Sequence, residues 1–193
     1  SQHQLNRVYV SLNGYRNDDF TPYLFVSDDE GAHWKSLGKN LPQEPINVVK
    51  EDPKDEQILY VGTDNGLYVS FDKGNHFIPW NGNLPRVAIH DIAIQEREND
   101  IVLGTHGRSI YIANLDKIQA YNQVKDKNWV TFDIDKIIYN KHLGNKSFSY
   151  STPNTQKINI AFYTQEATLY DIHILSTQGE LLYSTTHQAV NGI

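Results

Sequence analysis

Seven side chains of this sequence, Arg16, Asp18, Asp19, His90, Asp91, His106 and Arg108, are of types that do chemistry and fall in or beside turn-forming stretches. His90 and Asp91 are adjacent within an otherwise apolar run. A histidine beside a carboxylate titrates near neutrality and suits acid–base work or a metal. The same pair suits a hydrogen-bonded brace more readily, because polar groups inside a fold need partners. Arg108 offers a fork of donors that can clamp a carboxylate or bond the carbonyls of its own loop. Asp18 and Asp19 fit a sugar, a cation or a peptide, or a solvated turn.

The bulk of the sequence excludes several classes. The net charge is −6, with 17 basic against 23 acidic residues, and the arginines are scattered. A nucleic-acid binder presents a clustered basic face, so none is expected. Cysteine is absent, which removes disulfides and thiolate metal sites. No apolar run reaches the roughly 18 residues of a membrane helix, so no membrane span is expected. Neither cofactor nor metal is assigned. The chain opens at Ser1 and holds no methionine, so that end is read as internal to a longer protein.

The elements that position these groups come from a repeat. Ser27-Asp28-Asp29-Glu30-Gly31-Ala32-His33-Trp34 matches Ser70-Phe71-Asp72-Lys73-Gly74-Asn75-His76-Phe77, 43 positions on. Leu41-Pro42 matches Leu84-Pro85 at the same spacing, and Val61-Gly62-Thr63 matches Leu103-Gly104-Thr105 at 42. A period near 43 with several short strands per unit suits a propeller blade of four antiparallel strands. The complete unit reads as strands over 46–52, 58–63, 66–70 and 76–80. Strands over 7–12, 23–27 and 33–37 precede it, and 88–95, 101–105 and 109–113 follow it. Fewer than three blades are present, so further blades are expected upstream, as partners of this segment.

Ser-x-Asp-x-Gly-x-x-Trp resembles the Asp-box of sialidases, the sortilin ectodomain and bacterial BNR-repeat proteins. Asp18-Asp19-Phe20-Thr21-Pro22-Tyr23, Asn40-Leu41-Pro42, Glu51-Asp52-Pro53 and Gly104-Thr105-His106-Gly107-Arg108-Ser109 resemble the end of bacterial sortilin-like BNR propellers, often labelled glycosyl hydrolases. In that motif the serine and aspartate bond the hairpin backbone, the glycine takes a positive φ and the aromatic packs beneath. Ser27, Asp29, Gly31, Trp34, Ser70, Asp72, Gly74 and Phe77 are accordingly structural.

Blade topology puts the Asp-box turns and the turn between strands one and two at one end. The turns between strands two and three, and the crossovers between blades, lie at the other. The seven chemical residues share that second end, with Arg16, Asp18 and Asp19 in a long loop over 13–22. Sialidase-like propellers use that end for catalysis, which is an analogy of fold. A glycosidase needs two carboxylates roughly 5 to 9 Å apart, and sequence spacing cannot show that.

Residues 117–145 read as a linker with a helical turn, leaving 1–116 to the propeller. Strands over 147–151, 157–163, 168–175 and 180–186 then resemble the start of a FlgD-type Ig-like sandwich, 146–193, with Asn191-Gly192-Ile193 entering its last strand. The expected fold is all-β: a partial propeller and an incomplete sandwich. The expected protein is extracellular or periplasmic and bacterial, binding a peptide, protein or glycan. The alternative is a sialidase-like glycoside hydrolase sharing its site with upstream blades.

Overall fold

The computed structural model describes residues 1–80, 84–134, 144–146, 149–150 and 160–189. It is all-β apart from short helical turns, and it divides into two compact units, Ser1–Gln119 and Ala120–Ile193. The first unit holds three antiparallel sheets. One comprises β1 (Val8–Gly14), β2 (Asp19–Ser27) and β3 (Lys35–Ser36). The second comprises β4 (Ile46–Glu51), β5 (Leu59–Thr63), β6 (Gly66–Ser70) and β7 (Ile78–Pro79). The third comprises β8 (Ile89–Gln95), β9 (Asp100–Thr105) and β10 (Ile110–Asn114), and the helical turn α1 (Asp116–Gln119) follows. Each strand pairs with its neighbour in sequence, an arrangement compatible with part of a β-propeller.

The alternation of side chains decides how the sheets stack. Leu59 and Val61 of β5 pack with Leu24, Val26, Leu37 and Leu41 of the first sheet. Tyr60 of β5 and the preceding Ile58 point the other way, into a core with Val87, Ile89, Ile92, Ile101 and Leu103. The middle sheet is therefore covered on both faces, and every residue of β5 is buried. Each fully buried aliphatic side chain contributes about 2 kcal/mol, so these two layers dominate the stability of the unit.

The repeat makes the stacking directional. Leu24 and Val26 recur as Leu67 and Val69, and both pairs bury against the sheet that follows. Their third occurrence, Ile110 and Ile112, is 64% and 66% exposed. At the other flank Val10, Leu12, Phe25 and Trp34 line an apolar groove of about 330 Å³. Tyr68 and Phe77 stand where Phe25 and Trp34 stand one repeat earlier, and they pack into the core between the first two sheets.

Two sequence expectations are corrected. Residues 13–22 are not a long loop: β1 runs to Gly14, a single 3-10 turn spans Tyr15–Asn17, and β2 starts at Asp19. The outermost strands expected over 33–37 and 76–80 shrink to two residues each. Their leading residues belong to the preceding turns, because the His33 and His76 amides donate to Asp29 and Asp72 (both 2.8 Å).

The second unit holds the helical turn α2 (Tyr121–Val124), β11 (Trp129–Thr131) paired with β12 (Phe162–Thr164), and β13 (Leu169–Leu175) paired with β14 (Leu181–Gln188). The β13–β14 turn closes with the Gly179 amide donating to the Ser176 carbonyl (3.0 Å), with Gly179 at φ +86°. The expected strand over 147–151 and the Asn191-Gly192-Ile193 step fall wholly or partly outside the described residues.

Candidate functional site

The first unit has two chemically different ends. At one end lie the two repeated turns, and they match bond for bond. Ser27 Oγ donates to Asp29 Oδ1 (2.7 Å) and accepts from the Gly31 amide (2.8 Å). Ser70 Oγ donates to Asp72 Oδ1 (2.9 Å) and accepts from the Gly74 amide (2.8 Å). The second oxygens of Asp29 and Asp72 meet the Nδ1 atoms of His33 and His76, each at 2.6 Å. Gly31 and Gly74 take φ +96° and +83°, and Glu30 and Lys73 before them are also left-handed. A Cβ on either glycine would lie 3.4 Å from the ring of Trp34 or Phe77, so each aromatic sits under its turn. Phe77 is buried, whereas Trp34 is 46% exposed because nothing among the described residues covers the first sheet.

These bonds set the acidity of the turn. The His33 amide and ring, with the Ser27 hydroxyl, hold the Asp29 carboxyl down at about 2. Asp72 shifts down as well: partial burial opposes ionisation, and the bonds from His76 and Ser70 outweigh it. At this same end Asp52 is fully buried. It accepts from the Tyr60 hydroxyl (2.8 Å), the Lys54 and Asp55 amides (2.8 and 3.1 Å) and the Gln119 side chain (2.9 Å). Burial, reinforced by the Asp52 charge, pushes the Tyr60 hydroxyl far above its ordinary range. Asp52 thereby fastens α1 to the middle sheet. The sequence marked it only as the end of a strand in the Glu51-Asp52-Pro53 stretch.

The opposite end gathers the β5–β6 and β9–β10 turns and the crossovers between sheets. Asn13 donates to Asn47 Oδ1 (2.7 Å), and Asn47 donates to Asp64 Oδ1 (2.9 Å), a polar string joining the first two sheets. Glu44, in the crossover, accepts from the Thr63 hydroxyl (2.8 Å). In the third sheet, His90 and His106 stand where Asn47 and Asp64 stand one repeat earlier. Their rings are 5.4 Å apart, tilted by 53°. Both are exposed, His90 at a bulge where the β8–β9 register shifts between Ile89 and Asp91.

The remaining candidates occupy this end without converging. Arg16 and Asp18 form the exposed tip of the β1–β2 hairpin, Asp18 in a left-handed conformation at φ +55°. Asp19 is taken up by its own hairpin: it accepts from the Thr21 amide (3.0 Å) and the Tyr23 hydroxyl (2.7 Å), which shift its pKa down. Asp91 accepts from the Ile92 amide (2.9 Å), and the ring beside His90 is that of His106. Arg108 is exposed in the β9–β10 turn and makes no ion pair among the described residues. No group of three or more metal-ligating side chains occurs among the described residues. The sequence reading missed Asn47 and Asp64, although the 43- and 42-residue offsets from His90 and His106 point to them.

No protein-family model matches this sequence, and no curated protein matches it. Among solved structures the chain is similar to an ancestral GH74 enzyme, with 22% identity over 56% of this chain and 13% of that one, at a TM-score of 0.47. It is similar to the GH74 xyloglucanase from Xanthomonas campestris at 19% identity, over 57% of this chain and 19% of that one, TM-score 0.45. It is similar to the Niastella koreensis GH74 enzyme at 16% identity, over 56% and 18%, TM-score 0.45. The chain thus spans less than a fifth of each of those proteins. No helix among the described residues is long and apolar enough to cross a membrane.

Proposed function

We propose that the first unit is part of an Asp-box β-propeller in an extracytoplasmic bacterial protein, and that it binds a peptide, protein or glycan at its polar end. The observation that carries this reading is the exposed His90–His106 pair, at the same end as the Asn13–Asn47–Asp64 string. Imidazoles, amides and the Asp64 carboxylate at this end offer hydrogen-bond donors and acceptors, with Arg108 available at the rim. The other end is unsuited, since its serines and aspartates are used by their own turns.

The competing reading is a glycoside hydrolase. It needs an acid that carries a proton near neutral pH opposite a second carboxylate. The four carboxyl groups with shifted acidity among the described residues, Asp19, Asp29, Glu56 and Asp72, all shift down. A hydrolytic site would then draw its proton donor from blades beyond this segment.

Amide hydrogen exchange with and without a captured ligand tests the placement. Slowing at residues 88–91 and 104–108, with the turns at 27–34 and 70–77 unchanged, is the expected pattern. Slowing confined to the turns would refute it.

A further inference from the structure

The three sheets repeat closely enough that a difference between equivalent places is informative. In the first sheet, Pro22 and Tyr23 open the inner half of β2, and Leu37 and Leu41 close the space beside them, both buried. One repeat later the equivalent residues are Asn65, Gly66, Trp80 and Leu84. Gly66 removes the tyrosine ring, and a Cβ placed there would meet no atom within 4 Å. The result is a cavity of about 350 Å³ bounded by Asn65, Gly66, Tyr68, Trp80, Leu84 and Arg86.

That volume suits one ring-sized ligand fragment. Trp80 and Tyr68 supply aromatic surface, Leu84 apolar surface, and Asn65 an amide. Arg86 brings the formal charge among these residues. Arg86 is an exposed residue, makes no ion pair among the described residues, and is close enough for the Tyr68 hydroxyl to feel its charge. Glu44 also acts on Tyr68, but its carboxylate is engaged by Thr63 and it does not line the cavity.

We infer that this cavity is a binding site for a ring-bodied monocarboxylate, with the ring against Trp80 and Tyr68 and the carboxylate on Arg86. A sugar acid and an apolar-ring acid share that chemistry. The site differs in position from the His90–His106 pair and does not depend on the reading given to it.

Saturation-transfer NMR on the 193-residue chain, with glucuronate, glucose and phenylacetate as probes, separates the outcomes. Binding of glucuronate alone marks a sugar acid, and binding of phenylacetate, an apolar-ring acid; either supports the site. Glucose should bind at least about tenfold more weakly than the better acid, since it cannot form the charge-assisted pair. Arg86→Gln, at an exposed position, should keep the melting temperature and weaken the acid about tenfold. Trp80→Leu, which restores the residue of the first repeat, should abolish the ring contact. The inference is overturned if neither acid binds at about 10 mM, or if Arg86→Gln binds as well as the parent.

Discussion

At the residue scale, the carboxylates of this chain divide into those that build turns and those that face solvent at the polar end. Asp29 belongs to the first group, and its ionised form is what the Ser27 and His33 donors hold. Its folded pKa of about 2 lies below the ordinary carboxylate value, so its contribution is complete above about pH 4. That contribution is lost as the pH falls toward about 2. Thermal melts between pH 5 and pH 2 should fall more steeply for the parent than for Asp29→Asn, and parallel curves would contradict the assignment. Asp52 carries more weight because it is buried with four donors around it. Removing the carboxylate leaves the Tyr60 hydroxyl, two amides and Gln119 without their acceptor. Asp52→Ala should cost about 3 kcal/mol in urea unfolding, and a cost below about 1 kcal/mol would show the network to be slack.

At the element scale, the equivalent glycines of β5 and β9 give contrasting tests. A Cβ on Gly62 would lie 2.7 Å from Val48 Cγ1 and 2.9 Å from Ile89 Cβ, because the middle sheet is covered on both faces. On Gly104 it would meet Asp91 Cβ at 3.4 Å, on a face left open. Gly62→Ala should therefore destabilise by about 1–3 kcal/mol and Gly104→Ala by less than about 1 kcal/mol, measured by chemical unfolding. Equal costs would contradict the stacking. Much of this layout was legible beforehand: the 43-residue spacing of Ser27 and Ser70 located the turns, and apolar runs between and after them located β4, β5, β6, β8, β9 and β10. The β1–β2 hairpin was legible, but its loop was drawn too long because Asn17, Asp18 and Pro22 read as loop residues. Only the register, Leu12 opposite Tyr23 and Gly14 opposite Asp19, shows the strands continuing past them. The outermost strands were overdrawn because the histidines that open them answer to an aspartate four residues earlier. For the site, sequence put His90 and Asp91 together as neighbours. Pairing across the β8–β9 hairpin set His106 beside His90 instead, a relation fixed by register rather than adjacency.

At the scale of the whole molecule, the first unit carries two complementary apolar walls: the groove at Trp34 and the exposed Ile110 and Ile112. Each is the repeat equivalent of a surface that the inner sheets bury, so a neighbouring sheet of the same kind fits either one. The isolated chain should self-associate through them. Ile110→Lys with Ile112→Lys should yield a smaller sedimenting species at unchanged melting temperature, since each buried isoleucine would otherwise supply about 2 kcal/mol to association. Unchanged sedimentation would show that these walls do not drive association. The central claim, that the polar end holds a ligand without cleaving it, is tested by retention of a glycan and peptide panel on the full-length protein, with the mass of every eluted ligand determined. The expected result is a ligand class recovered intact, with retention reduced about tenfold or more in His90→Ala and His106→Ala. A cleaved glycan whose production both substitutions abolish would contradict it and make the protein a hydrolase at that same end.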